Sequence, residues 1–493
     1  MDGTTLPTPS PGFMDLVIKE FIVPTVPGSY TGVPVTTPEQ VVGINKSITD
    51  GAANLEAVMA QQSAGQQFVV FGYSQSTMIT SLEKARLEEK KARGEPVPNV
   101  VFVGIGGGDW PNGSITSRLD GLVVPIIDFT FTAPPPSDPA YEIPSIRIAR
   151  QYDGFADTPQ FVTNPVAVAN SLLGALFVHG LYGQEVSLDP DSPKYQPGTI
   201  VQQDGLTTYY WIPTQDLPLF DPPRLAGLPE PVIDVFEPFF TELVEAGYDR
   251  SIPFSARTPA QLIPVIDPMT LTIKLAAAGL EGANNAAKIA GGELPGYAPL
   301  AHQLAAMESQ SAAVIGAPYR NQVTAFNEAV NPIETFIQFE APVAERLNRV
   351  TNGFGVPTVS NQILGATLFP VSAWAEHNIL TPQEGAPIGP FAATARQFLK
   401  RVAPNLDAES SASTEGNTIL ESTRLERDAS DRPGASDSIR RGAHRPTSSP
   451  RRPAALTRSL TRVLHAASEP SGENTSSKQA KPADPSPATS SAK

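Results

Sequence analysis

Two apolar runs, QQFVVF (66–71) and NVVFVGIGG (99–107), bracket a tight turn, GYSQS, and a helix-like stretch, TMITSLEKARLEEKKARG, that stops at Gly94. Their order constrains the fold more than any other feature. Both runs are continuously apolar rather than alternating, as strands covered on both faces must be. A second helix-like segment, SITDGAANLEAVMAQQ, precedes them, and a third strand lies in IPSIRIARQYDG (143–154). Helix, strand, turn, helix, strand is a parallel βαβ unit. The expected fold class is α/β, a parallel sheet flanked by helices.

Composition divides the 493 residues into three regions. Residues 1–262 alternate short β-rich runs, helical stretches and Pro-rich loops. Residues 263–403 read as a helical extension, Ala-rich, through LTIKLAAAGLEGANNAAKIAGG, PLAHQLAAMESQSAAVIG and NPIETFIQFEAPVAERLNRVTNG. Residues 404–493 are rich in Ser, Pro and Arg with few aromatics, which cannot offset the entropy of ordering, and are expected to be disordered. Within that tail LTRSLTRVLHAA (456–467) has basic amphipathic character and reads as solvated chain rather than a membrane contact.

Several function classes are excluded. With no cysteine there is no disulfide, thiolate metal site, Fe–S cluster or Cys nucleophile. Net charge is −15, and the region before the basic tail is more acidic still, which argues against binding a phosphate backbone. The five histidines, His179, His302, His377, His444 and His465, form no H-x-H or H-x-x-x-H pair, so neither a metal site nor a cofactor is expected. GIGGGDW (104–110) has the glycines of a phosphate loop but no following Lys, and reads as a strand-end turn. No run of about 18 apolar residues suggests a transmembrane helix. MDGTTLPTPSPG at the N-terminus lacks the basic and apolar regions of a signal peptide.

Gly72-Tyr73-Ser74-Gln75-Ser76 carries the chemistry. Between a strand and a helix it resembles the G-x-S-x-G nucleophile elbow. A serine there sits on a strained turn that tolerates only small neighbours. Its hydroxyl stands above the C-terminal edge of the sheet, where the helix N-terminus and the Gln75 N–H face a developing oxyanion. Ser76 replaces the last glycine but keeps the position small. The plain alternative is an ordinary turn in which Ser74 caps the helix.

A serine hydroxyl needs a base. His179, in NSLLGALFVHGLYG, is the histidine that follows Ser74 within the α/β region. Two carboxylates, Asp153 and Asp157, follow the third strand in RQYDGFADTP. The Gly-x-x-Asp-x-Pro turn resembles the acid loop of many hydrolases, which favours Asp157 as the acid, with Asp153 as the alternative, capping or bracing the turn.

Taken together these segments resemble the PE-PPE-type α/β serine hydrolase domain of mycobacteria and related actinobacteria, which is cutinase-like. Gly3-Thr4 with PTPS (7–10), VPG (26–28), TPEQ (37–40), GYSQS, DWPNGS (109–114), the acid and base segments, YYWIPTQDLPLF (209–220) and LVEAGYDR (243–250) come in the family's order. The resemblance covers about residues 1–262. It departs in two ways: no helical PE or PPE module precedes the domain, so a stand-alone version is expected, and the family's first strand would lie before Gly3-Thr4, where this sequence starts.

The resemblance implies an α/β-hydrolase fold and a serine esterase or lipase acting through an acyl-enzyme. Ser74 would be the nucleophile, His179 the base, Asp157 (or Asp153) the orienting acid, and the N–H groups of Gln75 and of Thr4 or Thr5 the oxyanion donors. The substrate is expected to be an acyl ester or lipid, not a nucleic acid, and the location exported or envelope-associated. Acyl transfer to a sugar or lipid alcohol is the alternative, and a non-catalytic envelope protein on the same fold the remaining one.

Overall fold

The computed structural model describes residues 1–355 apart from 63, 64 and 66. The expected disordered tail, the part of the helical region after residue 355 and the stretch 456–467 therefore lie outside the described residues. Among the described residues seven strands form: β1 (Phe68–Tyr73), β2 (Val100–Ile105), β3 (Val123–Val124), β4 (Phe129–Thr130), β5 (Ser145–Arg150), β6 (Ile200–Asp204) and β7 (Thr207–Ile212). The main sheet has the order β1-β2-β5-β7-β6. The first four of these pair in parallel, whereas β6 pairs antiparallel to β7. The sheet is thus mostly parallel, as the expected α/β class requires, with one antiparallel edge strand. The two-residue turn between β6 and β7, Gly205-Leu206, is too short for a crossover, so only a hairpin can form. β3 and β4 make a separate antiparallel ribbon.

Every residue of β2 and β5 is buried, as befits central strands; the run of β2 is apolar throughout, whereas β5 also buries Ser145, Arg147 and Arg150. Successive side chains alternate between two cores. Val101, Val103 and Ile105 pack with Phe21, Ile22, Tyr182 and Val186 on one face. Val100 and Phe102 pack on the other with Leu55 and Ile79, from the helices Ile44–Met59 and Gln75–Ala92. The latter, the elbow helix, closes on Lys90 and Lys91, whose charges suit its C-terminal dipole. Gly94 follows with φ +73°, and Glu95 N–H returns to Lys90 O, ending the helix at the glycine expected.

One expectation about apolar length needs correcting. Residues Pro165–Glu185 are apolar and long enough, by composition, to cross a membrane. Half of that stretch is buried inside the protein. Nor is it one helix: Pro165–Phe177 is followed by a short 3-10 turn at His179–Leu181 and a single turn at Tyr182–Glu185. Asn164 caps its start, accepting from the N–H groups of Val166 and Ala167, with Pro165 at the first position.

Beyond residue 263 the described residues form helices at Pro268–Ile289, Tyr297–Ser311, Ala317–Ala329 and Pro332–Gly353. Asp267 and Asn331 cap two of these just before a proline. Val265 and Val323 pack on Phe161 of the α/β region, and Val123 N–H donates to Glu340 Oε2 at 3.3 Å.

Glu83 on the elbow helix is 1 % exposed, 3.3 Å from Arg86. Burial pushes its carboxyl up to about 7, against the pull of Lys90. A carboxyl raised on folding binds its proton more tightly in the folded state. Its contribution to stability is full below the unfolded value and is lost as pH rises through about 7. Thermal melts should therefore show the Glu83→Gln variant gaining on wild type between pH 5 and pH 8; a difference that stays flat or shrinks over that range would refute the assignment.

Candidate active site

Because β1, β2 and β5 run parallel, their C-terminal ends share one edge of the sheet, the usual place for a site in an α/β fold. Ser74 follows β1 directly and has φ +55° and ψ −119°, a conformation L-residues seldom adopt. Such a turn forces close quarters: a Cβ on Gly72 would lie 2.7 Å from the Ser76 carbonyl oxygen. Ser76 itself is fully buried. The steric demand for small flanking residues is thus met in the backbone.

His179 begins the turn after Pro165–Phe177. Its Nε2 lies 2.9 Å from Ser74 Oγ. Its Nδ1 lies 3.0 Å from both carboxylate oxygens of Asp153, which is completely buried. Tyr182 O–H donates to Asp153 Oδ2 at 2.7 Å while accepting from Arg150 N–H at 2.8 Å, and Phe155 N–H donates to Asp153 Oδ1 at 2.9 Å. Tyr73 stacks on the imidazole, ring centroids 5.3 Å apart, and its hydroxyl bonds to the His179 carbonyl oxygen. Phe155, 43 % exposed, leans on the other side at 4.5 Å. Burial, with the nearby Asp153 charge, raises the Tyr73 and Tyr182 phenols well above their ordinary range, so both stay neutral donors. Serine, imidazole and carboxylate in one hydrogen-bonded line is an arrangement able to deprotonate a hydroxyl.

Residues 20–249, which hold this line, match the family model of the PE-PPE domain. They form a PE-PPE domain. Similar curated proteins, all of Mycobacterium tuberculosis, include the uncharacterized PPE family protein PPE42, 36 % identical over 300 residues (58 % of this chain, 50 % of the relative). The esterase PE16 is 35 % identical over 298 residues (56 % and 53 %). The diacyltrehalose acyltransferase Chp2 is 30 % identical over 208 residues (40 % and 56 %). The chain spans about half the length of these relatives. No solved structure matches.

Within the PE-PPE domain the two carboxylates part company. The sequence favoured Asp157 as the partner of His179; the structure places Asp153 there. Asp157 points away, its Oδ1 accepting from Arg250 at 2.6 Å and its Oδ2 from Tyr152 N–H at 2.8 Å. Arg250 lies over the rings of Tyr248 and Trp211 and also pairs with Glu245. Gly154, read as the mark of a turn that presents Asp157, has a different task. A Cβ there would lie 2.3 Å from Ser171 O, and one on Gly174 would lie 1.8 Å from Tyr152 O. The acid loop and the helix that carries His179 therefore cross backbone to backbone.

The oxyanion side also sorts the expected residues. Thr5 N–H donates to Glu39 O at 2.8 Å, so that donor is already spent. Thr4 lies beside the elbow, its Oγ1 accepting from Gln75 Nε2 at 3.2 Å. Of the donors expected from the sequence, the Gln75 and Thr4 backbone N–H groups remain as candidates. Sequence reasoning passed over Tyr73, Tyr182 and Phe155. The signals were present: Tyr73 stands inside the pentapeptide, Tyr182 three residues after the histidine, and Phe155 between the two carboxylates.

Proposed function

We propose that this protein is a serine acyl-ester hydrolase, with Ser74 as nucleophile, His179 as base and Asp153 as the orienting acid. The observation that carries this reading is the continuous line from Ser74 Oγ through the imidazole to a buried carboxylate, on a strained elbow. Relatives named as an esterase and as an acyltransferase support ester hydrolysis or acyl transfer generally.

In this reading His179 Nε2 takes the Ser74 proton as Oγ attacks the acyl carbonyl carbon. The carbonyl oxygen becomes an oxyanion held by the N–H groups of Gln75 and Thr4. Collapse breaks the ester C–O bond, and the leaving alcohol takes the proton from Nε2. Water then attacks the acyl-enzyme, gives its proton to Nε2, and releases the acid with Ser74 restored. Asp153 keeps Nδ1 protonated and stabilises the imidazolium in both halves. Exposed apolar side chains, Phe155 against the histidine ring and Leu172 and Leu176 on the helix before it, suit an acyl chain better than a charged substrate.

A second reading replaces water with a sugar or lipid alcohol. The acyltransferase named among the relatives favours it, and it would give the protein a role in the mycobacterial envelope. A panel of p-nitrophenyl esters of rising chain length, run with and without trehalose, decides between them. Hydrolysis of short to medium chains is expected. Acylated trehalose forming faster than free acid would select the transferase, and preference for amides over esters would refute both.

A further inference from the structure

Glu39 is a buried carboxylate that the mechanism above does not use, yet it touches both sides of the oxyanion site. Its side chain is 1 % exposed, and its backbone has φ +44°, unusual for a residue with a Cβ. Oε1 accepts two hydroxyls: Ser76 Oγ from the elbow at 2.6 Å and Thr37 Oγ1 from its own segment at 2.8 Å. Its carbonyl oxygen accepts Thr5 N–H from the opening loop at 2.8 Å. The next residue repeats the pattern. Gln40 O accepts from Gln75 Nε2 at 2.9 Å, and Gln40 N–H donates to Ser47 Oγ at 3.0 Å, which in turn donates to Gln75 Oε1 at 2.8 Å.

In the reading above the two backbone donors to the oxyanion, on Thr4 and Gln75, belong to segments 71 residues apart in sequence whose side chains meet at 3.2 Å. Some element must hold them at one spacing, because a donor displaced by about an ångström loses most of its effect on a developing charge. We propose that Glu39 is a positioning residue that fixes this spacing, gripping the elbow through Ser76 and the opening loop through Thr5. It also accounts for the departure at the end of the pentapeptide: Ser76 supplies a hydroxyl that a glycine could not. This inference rests on the ester-hydrolase reading.

Other charges facing Glu39 come from the N-terminal segment, Asp2 and the Met1 ammonium. Burial pushes the Glu39 carboxyl up to about 7, while Ser76 and Thr37 pull it back. Either protonation state leaves Oε1 an acceptor, so a glutamine should serve nearly as well.

The test is steady-state hydrolysis of p-nitrophenyl butyrate, normalised to active sites titrated with a serine-reactive phosphonate. Glu39→Ala is expected to lower kcat about 10- to 100-fold, short of deleting an oxyanion donor outright, with KM within about twofold. Ser76→Ala should fall in between, and Glu39→Gln should restore kcat to within about threefold. Glu83→Gln, a buried carboxylate farther along the same helix, should leave kcat unchanged. Should Glu39→Ala fail to fold, Ser76→Ala carries the test. Wild-type kcat in Ser76→Ala and Glu39→Ala, a rise in KM alone, or no rescue by glutamine would overturn the proposal while leaving the nucleophile intact. Turnover that survives Ser74→Ala would overturn both this inference and the functional reading beneath it.

Discussion

Replacing Ser74 with alanine should lower ester turnover about 10⁴- to 10⁶-fold and abolish phosphonate labelling, without loss of the fold. The expectation follows from geometry. Ser74 Oγ is the atom 2.9 Å from His179 Nε2, and the elbow that holds it is set by backbone, not by its hydroxyl. Alanine fits the same turn, so thermal melts should stay close to wild type. Labelled protein in the alanine variant, detected by intact mass, would show that another residue is the nucleophile.

The two acid-loop carboxylates should fail in opposite ways. Asp153→Asn keeps the shape but removes the charge that opposes the imidazolium and fixes its tautomer, and kcat should fall about 10⁴-fold with little change in melting temperature. Asp157→Asn leaves the line to Ser74 untouched and breaks the pair with Arg250. Removing one partner of a buried pair costs about 3 kcal/mol or more, and less here because Arg250 is 31 % exposed. That variant should melt lower yet turn over at nearly the wild-type rate per folded molecule. Kinetics and melts on both variants check the assignment, and a larger kcat loss at Asp157 would reverse it.

The elbow was legible in the sequence because everything that makes it is local: an apolar run, a small-residue turn and a helix in succession. The same holds for the central strand β2, whose unbroken apolar run is fully buried. His179, which the structure brings to Ser74, was legible by position, as the histidine following the serine within the α/β region. Choosing between Asp153 and Asp157 needed knowledge of Arg250, which stands 93 residues beyond Asp157. That arginine lies inside LVEAGYDR, a segment already marked by its resemblance, but nothing local says which carboxylate it meets. β6 was missed because its side chains are mostly exposed, which leaves an edge strand with little apolar signal. The Thr5 donor was lost to a long-range bond of the same kind, from the opening loop to Glu39.

The crossing of Gly154 and Gly174 changes the alignment problem that such a site poses. Three reactive groups from three segments would ordinarily have to be registered independently, with an error at each joint. Here the segments that carry Asp153 and His179 meet with no side chain between them at those glycines, at distances where an added Cβ would fall 2.3 Å or less from a carbonyl oxygen. The Asp153 carboxylate and the His179 imidazole are therefore held as one block, and a tilt of the helix carries one along with the other. A single gap is left for the rest of the fold to hold, the one between that block and Ser74.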